Sequence, residues 1–427
     1  MSLHKLLLNI TAAAASVLIA GAFFHCVVAQ EVLTWDDCVR EAAKNNPDLI
    51  SAGEAVRSSE AAEKISASGQ YPQIDGRVSG ALTKSSGSAT AETYSADLSG
   101  SQLVFDAKKT INDVKAARED IAASKQNFRY ASADVRQALR RAFVDLLKAQ
   151  ELIRIAEDIY TIRRGSMELI TLRYQSGLEH KGALLTSESN LAQAQYAVNS
   201  AQRDLSVARS NLSKDMGRGK AAEIAVIGDF AVRDIPAGDI DMEAIAARHP
   251  LVLRSIAEKN AAEFNLRGAY ADYAPSLSVD ASLGKSGTTF LPQNTRKSAG
   301  FTLSMPLFEG GLRNAQVAQA KASVNKLQAD ETSVRNGVAA ALEQYRAALL
   351  EAIDNAAVHE KALAAAEERA RIAEAQYSIG TMAFDSWTII EDNLVSAKRA
   401  YLNARAAALL AEADWVQAKG ETLEYEQ

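Results

Sequence analysis

The chain has 427 residues and a formal net charge of −6, with no basic cluster. Nucleic acid is therefore a poor candidate partner, and the length suits two or three domains. Mean hydropathy is near zero. After the N-terminus no apolar run reaches the roughly 18 residues that a membrane-spanning helix needs.

Residues 1–29 read as an export signal. Lys5 gives the positive start, residues 6–24 the apolar core, and Val27-Val28-Ala29 a small-residue cleavage pattern before Gln30. Cys26 follows the apolar core, but the bulky Phe23-Phe24-His25 before it do not suit lipidation. Cleavage would leave Cys38 as the only cysteine, so no internal disulfide is available, and Cys38 is expected as a small buried apolar residue on the first helix.

From there the pattern runs helix (35–68), β-hairpin (71–105), very long helix (107–173), tight turn and helix (182–216). All seven prolines lie outside 73–235 and 307–427, Pro72 and Pro306 immediately before those stretches. Proline costs about 3 kcal/mol inside a helix, so its absence permits unbroken helices there. Leu139, Phe143, Leu146, Ile153 and Ile155 give the long helix a packing stripe. The helix should span roughly 100 Å. The shorter helices 35–68 and 182–216, stacked end to end, would make a neighbour of nearly matching length, packed in a coiled-coil-like manner.

The whole unit then recurs at a constant offset of 203 residues. Pro47 matches Pro250, Pro72 matches Pro275, Phe105 matches Phe308, Tyr174 matches Tyr377 and Gly177 matches Gly380. The expected organisation is a signal (1–29), a first repeat (30–216), a linker (217–239), a second repeat (240–419, hairpin 275–308) and a tail (420–427).

In the hairpins the period switches to two. Ile74, Val78, Leu82, Leu98 and Val104 alternate with Asp75, Arg77, Ser79 and Asp97; the second copy offers Leu277, Val279, Leu283, Phe301, Leu303 and Leu307, with Asp280 on the other side. The connecting loops are expected at 84–91 and 286–298. Strands of this length suit a transmembrane β-barrel; soluble half-buried hairpins remain the alternative. Four strands cannot close, and open edges cannot sit in lipid. Three chains would supply twelve strands and twelve helical staves, so the two counts agree on a trimer.

Taken together, Leu33-Thr34-Trp35, Asn46-Pro47-Asp48-Leu49, Tyr71-Pro72, Leu307-Phe308-Glu309-Gly310-Gly311 and the Tyr-x-x-Gly turns at Tyr174–Gly177 and Tyr377–Gly380 resemble the TolC-like outer-membrane factors. The resemblance covers nearly the whole chain after the signal. It implies a mainly α fold with β: internally duplicated long helical hairpins and two transmembrane β-hairpins, trimerising into an outer-membrane barrel and a periplasmic tunnel. It implies a passive exit duct for an efflux pump or type I secretion system, working with a periplasmic adaptor and an inner-membrane pump, proton-driven or ABC. The linker and the stretch after Trp415 would form an equatorial belt.

The turn residues Tyr174, Gly177, Tyr377 and Gly380 would then form the closed end of the tunnel and the face that docks the adaptor, although helix termination alone would also explain the glycines. The apolar strand faces would meet lipid, while Asp75, Arg77, Asp97 and Asp280 would line the lumen. Tyr71, Tyr94, Phe105, Tyr273, Phe290 and Phe308 would sit near the membrane interfaces. The family prototype carries two pore-narrowing aspartates six and nine residues after the second tip glycine. Ser386 and Ile389 occupy those positions here. Asp385 and Asp392, at i and i+7, could replace them as two acidic rings, or could be solvated charges on the outer helix face.

Enzyme chemistry is not expected. The histidines beyond the signal are His180, His249 and His359, with no His-Glu-x-x-His and no cysteine pair, so neither a metal nor a cofactor is expected. Gly217-Arg218-Gly219-Lys220 faintly echoes a phosphate loop, but Ala221 stands where that loop needs Ser or Thr. A helical-hairpin adaptor is the remaining alternative; it would lack the membrane strands.

Overall fold

A computed structural model of the chain describes residues 31–84, 86–87, 90–219, 223–233, 238 and 240–423. The export signal, Cys26 and Lys220 lie outside the described residues.

The duplication is visible in the lengths of the elements. In the first half, α2 (Pro47–Ser68), α3 (Lys109–Gln175) and α4 (Lys181–Asp215) have 22, 67 and 35 residues. In the second half, α6 (Pro250–Ala271), α7 (Leu312–Ser378) and α8 (Phe384–Ala418) have 22, 67 and 35. At 1.5 Å per residue, α3 and α7 each run about 100 Å.

The single helix expected over 35–68 is in fact two, α1 (Trp35–Asn45) and α2, broken at Asn46. Pro47 is the cause. A proline disfavours the helical region for the residue before it but suits the first position of a helix. Asn46 is accordingly extended, with φ −67° and ψ 122°, and its side-chain oxygen accepts from the backbone N–H groups of Asp48 (3.0 Å) and Leu49 (3.2 Å). The second half breaks in the same way between α5 (Met242–Arg248) and α6 at His249, whose Nδ1 accepts from Leu251 N–H at 3.2 Å.

These breaks are also joints. Asn46 Nδ2 donates to the Asp215 carbonyl at the end of α4 (2.8 Å), which docks α4 onto the start of α2. Gly217 follows with φ +82°, and a Cβ there would collide with the Asn45 backbone. Its counterpart Gly420, φ +76°, lies against Pro250 and His249 in the same way. The two shorter helices thus share the flank of one long helix. The staves run in the order α2 with α4, then α3, then α6 with α8, then α7.

The waist is tied by two short strands. β1 (Glu31–Leu33) pairs in parallel with β4 (Ile224–Val226) of the linker. Arg218 binds Glu31 (2.7 Å) and Glu41 (2.6 Å), so the glycine-rich stretch anchors the linker to α1. Beneath it Cys38, Leu139, Leu146, Leu212, Met216 and Ile224 form the largest described core cluster. Cys38 is a free, fully buried thiol, pushed up to about 12 first by burial and then by the charges of Asp37 and Glu41.

The four long strands form one antiparallel sheet in the order β2 (Gln73–Thr83), β3 (Ala91–Phe105), β5 (Ser276–Gly287), β6 (Asn294–Ser304). The second loop is shorter than 286–298, because pairing continues to Ser286 and Asn294. Both layers end at the same two seams. β2 and its adjoining α2 form one edge; β6 and α7 form the other.

His249 makes the second joint sensitive to pH. Burial lowers its pKa from 6.5 to about 4, because the buried ring resists charging, and a protonated Nδ1 could no longer accept the capping bond. The unfolded chain therefore binds more protons between those values, and stability falls as pH drops from about 6.5 towards 4, by about 2–3 kcal/mol per chain. Thermal unfolding followed from pH 7 to pH 4.5 should show this loss. His249→Asn, which restores the residue of the first joint, should flatten that part of the profile.

Candidate functional site: the hairpin tips and the two faces of the sheet

At the helical end both turns close by the same backbone device. Gly177 N–H bonds the Tyr174 carbonyl (3.0 Å) and Leu178 N–H reaches back to Arg173 (2.8 Å). Gly380 and Thr381 repeat this with Tyr377 (3.0 Å) and Gln376 (2.9 Å). Both glycines hold positive φ, +73° and +80°, a conformation that costs glycine little and other residues more.

The tyrosines are not equivalent. Tyr174 is 38% exposed, while Tyr377 is wholly buried. Tyr377 stacks on Trp387 with centroids 4.2 Å apart and meets Phe384 edge-on. Its hydroxyl donates to Glu179 (2.9 Å), the Arg173 guanidinium lies over its ring, and Arg173 Nη1 donates to its carbonyl (3.0 Å). Burial, then the Glu179 carboxylate, pushes its phenol up. With Ile170, Ala183 and Ala373 these rings form a core that fastens the two tips together. Leu172, Leu178 and Ile379 remain exposed around it.

One turn further in, a buried ion network crosses between the repeats. Arg163 on α3 donates to Glu391 on α8 at 2.5 Å and also to Asp392; Ser166 donates to the other Glu391 oxygen at 2.8 Å. Arg163 and Glu391 are buried. Burial pushes the Glu391 carboxyl up, opposed by Ser166 and Arg163. Of the two aspartates at i and i+7, Asp392 is thus matched by a cation. Asp385 is exposed in the first turn of α8 and has no cationic partner among the described residues. Arg163 and Glu391 carry no motif, and no local pattern in the sequence marks them as a pair, 228 residues apart.

At the sheet end, register decides which side chains share a face. Ile74 pairs with Gly100, Gly76 with Leu98, Val78 with Ala96 and Leu82 with Glu92. Leu98 then pairs with Leu283, Gly100 with Ala281 and Gln102 with Val279. Leu277 pairs with Leu303, Val279 with Phe301 and Ala281 with Ala299. These residues all lie on one face, since directly opposed side chains point the same way. Leu307 lies beyond the end of β6 and is exposed. Val104 falls in a bulge, and Phe105 takes the place opposite Leu277, because the extra residue shifts the alternation by one.

The other face carries Asp75, Arg77, Asp97 and Asp280 among serines. Ser79 and Ser95 bond at 2.9 Å, Ser282 and Ser298 at 2.7 Å, and Ser95 donates to Asp97 at 2.9 Å. At the loop end Tyr94 meets Phe290 edge-on at 5.9 Å. Lys285 and Lys297 belong to the apolar face, opposite Ala96 and Leu283 respectively; they are two more steps of the alternation read from Leu283 and Ala299. No described helix is long and apolar enough to cross a membrane.

A four-stranded sheet with one apolar face, joined to helices about 100 Å long in two copies of one unit, defines a channel-forming outer-membrane protein. The chain belongs to the outer membrane efflux protein family, whose model matches residues 38–218 and 242–421. It is 23% identical over 344 residues to the outer membrane efflux protein BepC of Brucella suis, covering 78% of this chain and 74% of that one. Over 315 residues it is 26% identical to the fusaric acid resistance protein FusA of Burkholderia cepacia, covering 68% and 58%. Among solved structures, CusC aligns with a TM-score of 0.79 at 19% identity over 90% of this chain and 91% of that chain. The Campylobacter jejuni channel CmeC gives 0.79 at 18% over 91% and 86%. The protein is an outer-membrane exit duct for efflux, its helical part in the periplasm.

The ion network predicts a stability effect. Arg163→Ala leaves the Glu391 charge buried without a cation, which costs about 3–5 kcal/mol. Thermal unfolding should show that loss, and replacing Arg163 and Glu391 together by Met should recover most of it.

Proposed function

We propose that three copies of the chain form the duct, a closed twelve-stranded barrel continued by twelve helical staves. The observation that carries this reading is the coincidence of open edges. β2 and β6 each keep one side's backbone groups unpaired within the chain, which hydrocarbon does not tolerate. The helical layer is bare at the same seams. α7 buries only Val338, Leu342, Leu349, Ala373 and Tyr377 of its 67 residues, and α2 only Leu49. A neighbouring copy covers both with one operation of a rotation axis.

In this assembly the apolar face meets lipid and the Asp/Arg/Ser face lines a water-filled lumen. The conduit is passive, and an inner-membrane pump, proton-driven or ABC, supplies the energy through a periplasmic adaptor. Extracts containing the protein should give an SDS-resistant band that shifts to the mass of one chain only on boiling. A band at the single-chain mass before heating, together with a single-chain mass in detergent, would reject the trimer.

The hairpin tips are the adaptor's docking face in this reading, with Tyr174, Gly177, Tyr377 and Gly380 setting the shape of the turns. Leu172, Leu178 and Ile379 support it, since exposed apolar side chains beside a well-packed core suit a protein partner. Asp385, not Asp392, is the stronger candidate for an acidic ring at the pore mouth. Leu178→Asp and Ile379→Asp together should weaken adaptor binding at least tenfold while leaving the heat-modifiable trimer intact. Wild-type affinity in that variant would place docking elsewhere.

A further inference from the structure

The apolar face of the sheet carries two lysines where the alternation leads one to expect aliphatic residues. Lys285 lies opposite Ala96 and Thr295, and Lys297 lies opposite Leu283. Both are exposed, and neither has a carboxylate partner among the described residues. Because Leu283 is two residues before Lys285, the lysines are diagonal neighbours across β5 and β6, roughly 7–8 Å apart at the backbone. Two flexible four-carbon stems at that spacing can bring both ammonium groups onto a single anion.

Among the described residues no carboxylate lies beside the two lysines on this face. Asp75, Asp97 and Asp280 all lie on the opposite face. The only acidic side chain on the apolar face among the described strand residues is Glu92, four residues beyond Ala96 along β3 and roughly 13 Å away. Closing the barrel adds no partner either, for β2 brings only Ile74, Gly76, Val78, Gly80 and Leu82 to this face. A lysine facing lipid is costly at the midplane and costs little at the interface. Both lysines lie within four residues of the β5–β6 turn, the end away from the helices, and therefore at the outer leaflet.

We propose that Lys285 and Lys297 form a site on the barrel exterior for the phosphate of an outer-leaflet glycolipid. The inference rests on the reading that the apolar face meets lipid. Each lysine reaches towards the headgroup layer while Leu283, Ala281 and Phe301 lie against the acyl chains, so the site joins two ammonium donors to an apolar bed. A symmetric trimer would carry three such sites, each within one chain.

Native mass spectrometry of detergent-purified protein tests this, with bisphosphorylated lipid A as probe and the same lipid stripped of both phosphates as comparison. The wild type should retain up to three lipid A molecules per trimer and bind the stripped lipid at least tenfold more weakly. Lys285→Gln with Lys297→Gln should bring lipid A binding down to the stripped-lipid level. Arg296→Gln, a charge removed from the opposite face, should leave it unchanged. Equal binding of lipid A by the double variant, or equal binding of the two lipids by the wild type, overturns the site. Carbonate-resistant insertion into vesicles separates this from failure of the underlying reading: if wild type and double variant both insert, only the lysine site is at stake. If neither does, the lipid-facing assignment falls and the site with it.

Discussion

The structure is governed by the need to pair every backbone group of a sheet that lies in hydrocarbon. An unpaired N–H or C=O there costs several kilocalories per mole, and β2 and β6 present a row of them on either side of a sheet that is otherwise laddered apart from the bulge at Val104. Among the described residues no strand pairs with either edge. The helical layer meets the same demand with weaker forces, since bare flanks of α2 and α7 lie under the bare strand edges. The two layers end together because each hairpin feeds directly into its long helix.

Duplication makes this geometry economical, and the departures from exact repetition mark where the halves took on different work. The two joints share a proline, a positive-φ glycine and an extended capping residue. One caps through an amide and the other through an imidazole that must stay neutral. The two tips share backbone turns, yet Tyr377 is buried in an aromatic stack while Tyr174 faces outward. The second half therefore holds the tip together, and it does so using Arg173 and Glu179 borrowed from the first.

Charge is handled differently at the two ends. Near the tips a buried guanidinium is shared by Glu391 and Asp392, so carboxylates that look free in the sequence are largely compensated. In the sheet, Asp97 accepts from the Ser95 hydroxyl, which in turn bonds Ser79. Two lysines, Lys285 and Lys297, stand on the apolar side with no carboxylate partner among the described residues.

Much of this was legible in the amino-acid sequence because it rests on local rules. Proline-free stretches gave the long helices to within a few residues. Alternation of period two gave the apolar face, from Ile74 to Leu303, because side chains in a strand must alternate. The 203-residue offset showed that whatever one half did, the other would copy. Tertiary structure decided the rest. Pro47 lies within the stretch 35–68 that the sequence suggests as one helix, and it is the Asn46 cap and its contact with Asp215 that make it the start of a second. The Val104 bulge is a matter of register between strands more than 170 residues apart, which no local pattern encodes. Arg163 meets Glu391 across 228 residues, and Tyr377 is held by Arg173 and Glu179 from the other tip, contacts that no local pattern announces. Periodicity fixes which face of an element is apolar; only packing fixes what that face, and the charges beside it, will touch.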